Sequence, residues 1–390
     1  MVAIVGAART PMGGLRGVFA DVTAATLGGA AIKAALDCGS VDAGLVEELL
    51  MGCVLPAGQG QAPARQAGFA AGLGAGVPAT TVNKMCGSGM KTVMMAHDQI
   101  ALGQTSVMVA GGMESMTQAP YILPGMRDGT RLGHAQIKDH MVLDGLEDAY
   151  DKGCLMGLFA EACAENYRFT REAQDEYALR SLSRALDAAR SGVLAGEITP
   201  VTINTRKGEV TVSTDEQPGT ARPEKIPQLR PAFRAGGTVT AANSSSISDG
   251  AAALVLASDA AVADQNLKVR AHIAGHGSHA QAPELFTTAP VGAAQKLLDR
   301  LGWSVNDVDL WEVNEAFAVV PMAFARDMNI EADRMNIRGG ACALGHPIGA
   351  SGARIIVTLL NALEAGGGKR GIAAICIGGG EGTALAIERP

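Results

Sequence analysis

Short apolar runs alternate with longer amphipathic patterns over residues 1–115 of the chain. VAIVGAA, LLMGCVL and SVMVAGG have the length and the flanking glycines of buried strands, whereas residues 23–37 and the segment after Cys86 follow helical spacing. Strands that alternate with helices in this way are typical of an α/β protein. The pattern therefore predicts an α/β fold whose strands are largely buried.

Residues 118–246 have a different texture, with many charges, scattered prolines and little strand pattern. Within this segment, Thr170 is a candidate N-cap for a helix whose apolar positions include Tyr177 and Leu182. Residues 206–232 predict a hairpin followed by a proline-rich excursion. We interpret 118–246 as a domain inserted into the α/β core.

The last third of the chain repeats features of the first third. VMVAGGMES (107–115) aligns with AAICIGGGEG (373–382) when Val109 is matched to Cys376, and a turn and an amphipathic helix precede each strand. The repetition predicts two related halves. The expected domains are an N-terminal domain of residues 1–117 and 247–269, the insertion over 118–246, and a C-terminal domain over 270–390.

Composition adds a large core to this picture. The 390 residues are 47% apolar and 18% charged, with a mean hydropathy of +0.16, so we expect buried sheets or subunit interfaces, and therefore oligomerisation. No run approaches the ~18 apolar residues of a membrane span. A net charge of −7 without a basic run argues against nucleic-acid and anionic-membrane partners. The N-terminal segment has neither a signal nor a transit pattern, so a cytoplasmic location is expected.

Several other patterns predict no additional site. The seven cysteines are scattered and never form C-x-x-C, which argues against a disulfide framework and a structural zinc site. His272, His276 and His279 lack an acidic or thiol partner at ligand spacing, so we expect a surface cluster and no metal. GGGKRG (366–371) precedes a predicted strand instead of following one, so it does not predict a dinucleotide loop.

Cys86 and His346 are the first candidates for chemistry. Cys86, in NKMCGSGMK, is expected at a helix start, where backbone N–H groups would lower the pKa of its thiol. His346, in CALGHPIGASGAR, is expected at a second helix start with Pro347 as the first helical residue, where a neutral imidazole could accept a proton. A buried structural cysteine and a hydrogen-bonded turn histidine are the alternatives.

Two further residues follow apolar strands. Cys376 ends IAAICIGGG, where it is either displayed at the strand end or packed as a small hydrophobic residue of the core. Asn314, in WEVNEAFAVV, could hold a water or polarise a carbonyl, and it could equally cap the following helix.

These four segments occur in the order found in thiolases, and the chain resembles that family from VAIVGAARTP to CIGGGEG. NKMCGSGMK, VNEAFA, GGACALGHPIGASGAR and CIGGGEG are similar to the nucleophile, asparagine, histidine and second-cysteine segments of the family. The resemblance implies a duplicated five-layer αβαβα core, assembled as a homodimer or homotetramer. It also implies an inserted loop domain that binds coenzyme A as substrate, and no other cofactor.

The resemblance also implies roles for individual residues. Cys86 would accept the acyl group, and His346 would activate the Cys86 thiol. His346 would also form an oxyanion hole with a water held by Asn314. Cys376 would move the proton at the α-carbon of the second thioester. Gly378 would supply an N–H to a second oxyanion hole, together with that of Cys86. The residues expected along the pantetheine arm are Leu146, Met156, Phe233, Ala241, Ser245, Ala316 and Phe317.

The chain departs from the short-chain biosynthetic members at Leu155, Phe286 and Arg338, which we expect near the acyl or pantetheine region. At the adenine end position 218 is proline, and Arg222 or Lys225 is expected to replace the usual arginine. The expected function is acetyl-CoA C-acetyltransferase. A broader 3-oxoacyl-CoA thiolase of β-oxidation is the main alternative, followed by a ketosynthase and a non-catalytic acyl-CoA-binding or lipid-binding protein.

Overall fold

The computed structural model describes residues 1–206 and 208–390 as a mixed α/β protein. The strands are β1 Val2–Arg9, β2 Gly13–Gly14, β3 Glu48–Gly52, β4 Ala79–Val82, β5 Val107–Ser115, β6 Tyr121–Ile122, β7 Lys138–Asp139, β8 Val201–Thr205, β9 Gly208–Val212, β10 Ser248–Ser258, β11 Ala271–Ala280, β12 Leu310–Val313, β13 Arg370–Ile377 and β14 Glu381–Glu388. The helices are α1 Ala24–Gly39, α2 Pro63–Ala70, α3 Ser88–Ala101, α4 Met156–Tyr167, α5 Arg171–Ser191, α6 Glu216–Thr220, α7 Asp259–Asp264, α8 Ala289–Leu301, α9 Val319–Met328, α10 Ala341–Leu344 and α11 Ser351–Gly366.

One continuous ladder of strands runs through the core, in the order β12-β13-β14-β11-β1-β10-β5-β3-β4, with β2 paired to β10. Strands β3, β4 and β5 are parallel, as are β12 and β13, whereas the strands around β1 and β11 are antiparallel. The two halves of the ladder meet where Ala3 and Ile4 of β1 pair with His272 and Ala271 of β11.

The register of the strands confirms that the halves are related. A β-bulge interrupts β1 between Ile4 and Gly6, and a matching bulge interrupts β11 between Ile273 and Gly275. From Ile4 of β1, the pairing leads across β10 to Met108 of β5. From Ile273 of β11, it leads across β14 to Gly371 of β13, so Met108 and Gly371 are equivalent positions.

This register corrects the repeat alignment. Five residues beyond Met108 and Gly371, Met113 is matched to Cys376, so the expected match of Val109 to Cys376 is wrong by four positions. The apolar runs and glycines of the two strands resemble each other at more than one offset. Only the pairing across neighbouring strands, which fixes the face of every side chain, selects the right one.

The two sheet halves and the three helical layers around and between them form five layers. Helices α1 and α2 pack on the outer face of the first half, and α8 packs on the outer face of the second half. Helices α3 and α11 lie between the halves and contact strands of both. Their apolar side chains form one cluster with residues of both halves, including Ile4, Met90, Ile356 and Ile387.

Helix α11 is buried on every side. Each residue from Ser351 to Leu363 is buried, including the polar face of the predicted amphipathic helix, formed by Ser351, Arg354, Thr358 and Asn361. Because the helix is enclosed between two sheets, this face bonds to buried polar groups instead of water. Arg354 donates to Glu312 at 3.0 Å, and Thr358 donates to Glu197 at 3.2 Å.

Glycines allow the backbone of the central layer to approach closely. A Cβ at Gly112 of β5 would lie 2.0 Å from the carbonyl oxygen of Gly349, in the turn before α11. A Cβ at Gly89 would lie 2.8 Å from the backbone nitrogen of Ala353, so α3 and α11 also cross at a glycine. Side chains at these positions would force the turn that carries His346 away from the strand.

The segment between β5 and β10 carries the short ladder β6-β7, helices α4 to α6 and the hairpin β8-β9. The Thr170 side chain accepts a hydrogen bond from Ala173 N, which confirms the predicted N-cap. The hairpin lies earlier than predicted, in β8 and β9, and residue 207 of the predicted range lies outside the described residues. Residues 216–228 form short helical turns around Pro218 and Pro223.

A buried ion-pair network joins this segment to the first strand. The fully buried Arg9 of β1 donates through Nε to Glu197 at 2.7 Å and through Nη1 to Asp215 at 2.7 Å. Arg338 also approaches Glu197, at 3.4 Å, and donates to the Asn361 carbonyl at 2.9 Å. Arg338 therefore makes buried structural contacts, and its expected place near the acyl or pantetheine region stays a prediction.

Among the described residues, no helix is both long enough and apolar enough to cross a bilayer.

Candidate active site

Cys86 lies in a strained turn between β4 and α3. The residue before it, Met85, has a φ of 46°, in the left-handed region that non-glycine residues rarely adopt. Ser88 holds the turn closed, because its Oγ accepts from Lys84 N at 2.8 Å and donates to the Met85 carbonyl at 2.6 Å. Helix α3 begins at Ser88 with Gly87 as its N-cap, as the sequence predicts. Strain of this kind fixes the direction of the Cys86 side chain.

The prediction of a lowered pKa for the Cys86 thiol is wrong. Burial raises the pKa to about 11, and the backbone N–H groups of Gly378 and of Cys86 itself only partly oppose this effect. Loss of hydration outweighs two N–H groups near the sulfur because a thiolate depends on water for most of its stabilisation. The resting form is therefore a thiol, which needs a base for activation.

His346 supplies a neutral imidazole. Its Nδ1 lies 2.5 Å from Ser351 Oγ, and that hydroxyl donates to the Pro347 carbonyl at 2.9 Å. Ser351 must then accept from His346, which places the ring proton on Nδ1 and leaves Nε2 as the basic nitrogen. Nε2 is buried and has no hydrogen-bond partner among the described residues.

Burial lowers the pKa of His346 to about 3, and the charge of Arg354 contributes. The imidazole is therefore neutral, as the sequence analysis expects, but the cause is different. Helix α11 begins at Ser351, so the prediction of Pro347 as its first residue is wrong. Enclosure between the two sheet halves, and not a helix start at Pro347, keeps His346 uncharged.

Asn314 follows β12 and is completely buried. Its backbone N–H donates to the Ala374 carbonyl at 3.0 Å, which fixes it beside β13. Neither Oδ1 nor Nδ2 has a partner among the described residues. Helix α9 begins at Val319 with Ala318 as its N-cap, so the alternative that Asn314 caps this helix is wrong. A buried amide without a protein partner is costly and is typical of a site that receives a water or a ligand.

Cys376 is the penultimate residue of β13 and is fully buried. It is therefore not displayed at the strand end. Burial raises the pKa of its thiol well above the usual value, and the Cys86 thiol adds to this effect. Gly378 follows β13 directly and lines one cleft with Met85, and a Cβ at Gly87 would lie 2.5 Å from Ile377 Cδ1. The segments that follow β4 in the first half and β13 in the second half thus meet beside Cys86.

A buried glutamate, which sequence reasoning missed, supports the loops around these residues. Glu114, near the end of β5, accepts hydrogen bonds from the backbone of Val54 at 2.9 Å, Leu55 at 3.2 Å and Gly349 at 3.0 Å. Burial raises its pKa to about 7, against the effect of these donors. The signal available in the sequence was a charged residue at the end of an apolar run, in GGMES.

Glu315 is a second buried carboxylate that sequence reasoning did not single out. It accepts from Tyr177 at 2.9 Å, Ser181 at 2.7 Å and Asn336 at 2.9 Å. Tyr177 and Ser181 belong to α5 of the inserted segment, so Glu315 ties that segment to the turn that begins with Asn314. This anchoring positions the asparagine without involving its side chain.

The residues expected along the pantetheine arm are distributed around this centre. Leu146 and Cys86 pack against the same small apolar cluster, and Met156 lines a cleft together with Met85 and Gly378. Phe233 and Phe317 form a T-shaped pair with ring centroids 5.9 Å apart.

The remaining expected contacts adjoin that pair. Ser245 N donates to the Ala316 carbonyl at 2.9 Å, and Ala241 is exposed on the same loop. Phe286 packs against Phe317 with ring centroids 6.4 Å apart, so it adjoins the expected pantetheine contacts, whereas Leu155 is 37% exposed. Arg222 and Lys225 are both exposed.

A duplicated α/β core that carries two thiols, a neutral imidazole and a buried amide is typical of an acyl-transferring enzyme. The N-terminal domain of thiolase matches residues 2–260 and the C-terminal domain of thiolase matches residues 267–389. The chain belongs to the thiolase family.

Relatives and solved structures agree with this assignment over the full chain. Acetyl-CoA acetyltransferase 1 of Arabidopsis thaliana is 49% identical, with 99% of this chain and 94% of the relative covered. Acetyl-CoA acetyltransferase of Pseudomonas aeruginosa is 47% identical, with 100% and 99% covered. A thiolase from Ascaris suum, solved in complex with coenzyme A, has a TM-score of 0.95 at 40% identity and covers 100% of both chains. The acetyl-CoA acetyltransferase of Bacillus anthracis has a TM-score of 0.97 at 40% identity, with 100% and 98% covered.

Proposed function

We propose that this enzyme condenses two molecules of acetyl-CoA reversibly to acetoacetyl-CoA and free coenzyme A, through an acetyl group on Cys86. The observation that carries the proposal is that the segments around Cys86 and Cys376 meet: Met85 and Gly378 line one cleft, and a Cβ at Gly87 would lie 2.5 Å from Ile377 Cδ1. A nucleophile, an oxyanion donor and a second proton carrier then surround one thioester.

In the first half-reaction, His346 Nε2 takes the proton of the Cys86 thiol and the thiolate attacks the thioester carbonyl. The N–H groups of Cys86 and Gly378 donate to the oxygen as it becomes negative, an effect typically worth about 3–4 kcal/mol per donor. The carbon–sulfur bond to coenzyme A breaks, and the Cys376 thiol protonates the leaving thiolate. The products are acetyl-Cys86, a cationic His346 and an anionic Cys376.

In the second half-reaction, the Cys376 thiolate removes a proton from the α-carbon of a second acetyl-CoA. His346, now cationic, and a water held by Asn314 donate to the enolate oxygen, which compensates for the weak basicity of a thiolate. The carbanion attacks the acetyl group on Cys86, the bond to sulfur breaks, and Cys86 regains its proton from His346. All protons return to their starting positions.

Mass spectrometry of the protein after incubation with acetyl-CoA alone tests the nucleophile. We expect one acetyl group on Cys86 and none in a Cys86→Ala variant. Acetylation of another residue contradicts the proposal. A protein that binds acetyl-CoA without any covalent product would instead support the non-catalytic alternative.

Chain length separates the preferred function from the broader 3-oxoacyl-CoA thiolase. Thiolysis of acetoacetyl-CoA and of long-chain 3-oxoacyl-CoA is compared as kcat/KM with one enzyme preparation. We expect the four-carbon substrate to be cleaved faster, because the packed rings of Phe286, Phe317 and Phe233 fill space beside the residues expected to contact the substrate. Faster cleavage of the long chain rejects the acetyl-CoA assignment and supports the broader enzyme.

We also propose that the enzyme is a homo-oligomer, a dimer or a tetramer. The segment around β6 and β7 exposes large apolar side chains, with Tyr121 at 69%, Leu132 at 98% and Ile137 at 68%. Exposed apolar clusters of this kind are common at subunit contacts. Light scattering coupled to size-exclusion chromatography would contradict this proposal if the protein eluted with the mass of one chain.

A further inference from the structure

Three residues with metal-ligating side chains meet on the molecular surface where α3 approaches β11. His97 Nδ1 lies 3.0 Å from Asp98 Oδ1, and His276 Nε2 lies 2.8 Å from the same oxygen. The two imidazole rings are nearly perpendicular, with centroids 5.2 Å apart. His97 and Asp98 belong to the first half of the core and His276 belongs to the second. The arrangement therefore depends on the fold and has no counterpart in sequence spacing.

We propose that His97, Asp98 and His276 bind a divalent transition-metal cation such as Zn²⁺, with solvent completing the coordination. The three potential donor atoms all lie within 4.8 Å of one another. Ligand atoms of a tetrahedral zinc site with bonds of about 2.1 Å are separated by roughly 3.4 Å, so small side-chain movements suffice. Two imidazoles and one carboxylate form a donor set that suits this class of metal.

The surroundings of the three side chains support a partly open site. The imidazoles are mostly enclosed, with 20% and 16% of their side chains exposed, whereas the Asp98 side chain is 52% exposed. Packing thus holds the two nitrogen ligands, and the carboxylate faces the solvent from which a cation would enter. Lys91 and Arg300 lie nearby, and Arg300 donates to the His276 carbonyl at 2.8 Å. Their positive charges would weaken binding relative to a zinc site without nearby cations.

The other histidines of β11 do not share this arrangement. His272 lies near one carboxylate, Asp259, at 3.6 Å, and His279 lies near the Gln281 amide at 3.2 Å. The predicted surface cluster of three histidines is therefore wrong, because each one has different partners. Asp98 of α3 supplies the acidic partner of His276 that the sequence spacing did not show.

The location predicts a structural effect without a catalytic one. His97 lies eleven residues beyond Cys86, which corresponds to roughly 16 Å along a helix. A cation at this site would join α3 of the first half to β11 of the second, far from the reacting groups. Metal binding should therefore raise thermal stability and leave turnover unchanged.

Isothermal titration with Zn²⁺ tests the proposal, using full-length protein whose accessible thiols have been blocked with iodoacetamide. We expect one site in the wild type and affinity reduced roughly tenfold or more in His276→Asn and His97→Asn, because each removes a metal ligand. His272→Asn is the matched control, since it removes an imidazole from the same strand, and its affinity should be unchanged. Circular dichroism of each variant establishes that it is folded.

Thermal unfolding provides an independent measurement. Zn²⁺ should raise the unfolding midpoint of the wild type and of His272→Asn, but not that of His276→Asn. Absence of saturable binding, or equal affinity in His276→Asn, would overturn the proposal and leave only a histidine–aspartate hydrogen-bond network. Because the thiols are blocked and turnover is not the readout, this result is independent of the proposed acyl transfer.

Discussion

His346 Nδ1 donates a hydrogen bond to Ser351 Oγ across 2.5 Å, and this contact determines which nitrogen of the imidazole is basic. Ser351 cannot donate in return, because its proton is directed to the Pro347 carbonyl. The first residue of α11 therefore sets the tautomer of His346 and turns Nε2 into a proton acceptor.

Replacement of Ser351 by alanine should slow the enzyme without unfolding it. Loss of one hydrogen bond of about 1–1.5 kcal/mol to the imidazole corresponds to a fall in kcat of roughly tenfold, with KM for acetyl-CoA unchanged. Steady-state kinetics with acetyl-CoA measures both constants. Thr358→Ala removes another buried hydroxyl of α11, one that bonds to Glu197, and should leave kcat unaltered. Equal effects of the two variants would mean that Ser351 acts only on stability.

The reactivity of Cys86 should rise steadily with pH. Because burial raises the pKa of its thiol to about 11, only a small thiolate fraction exists at neutral pH. The rate of alkylation by iodoacetamide should increase about tenfold per pH unit between pH 7 and pH 9, since the thiolate fraction follows hydroxide below the pKa. Peptide mapping, with Cys86→Ala as the control, assigns the label. A plateau near neutral pH would instead indicate a stabilised thiolate.

Asn314 should be important for activity and nearly irrelevant to stability. Its amide has no partner among the described residues, so Asn314→Leu should change the free energy of unfolding by less than about 1 kcal/mol. If the amide holds the water of an oxyanion hole, kcat should fall by about 10²-fold to 10³-fold. Urea denaturation and steady-state kinetics measure the two quantities.

Asn336 offers a matched control for that experiment. Its amide donates to the Val313 carbonyl at 2.8 Å and to Glu315 at 2.9 Å, and it accepts from Val313 N at 2.7 Å. Its φ of 49° adds strain to any larger side chain. Asn336→Leu should therefore destabilise the protein by about 3 kcal/mol or more. The argument for Asn314 fails if both substitutions destabilise the fold to the same extent.

Gly112 should tolerate no side chain. Alanine at this position would bring its Cβ within 2.0 Å of the Gly349 carbonyl oxygen, so either β5 or the turn carrying His346 must move. We expect a loss of about 3 kcal/mol in the free energy of unfolding, and lower kcat in whatever protein remains folded. Gly74→Ala, with no atom within 4 Å of the added Cβ, should lie within about 0.5 kcal/mol of the wild type. Thermal or urea unfolding of the two variants provides the comparison.

Local signals in the sequence were sufficient to predict the elements that carry the chemistry. Apolar runs ending in glycine predicted β1, β3, β5 and β13, and the Thr170 hydroxyl predicted the start of α5, because a cap is a contact within four residues. The four segments with Cys86, Asn314, His346 and Cys376 were likewise visible along the chain. Their order was enough to indicate thiolase, since motif identity depends on neighbouring residues alone.

The tertiary structure decided what those residues can do. Burial between two sheet halves raises the pKa of Cys86 and lowers that of His346, and it leaves the Asn314 amide without a partner among the described residues. None of these effects follows from sequence neighbours, because desolvation depends on segments hundreds of residues away. The contacts of Glu114 with Gly349 and of Asp98 with His276 have the same origin. The sequence by itself determined which reactive groups are present, and only the fold determined their charge, their partners and their distances.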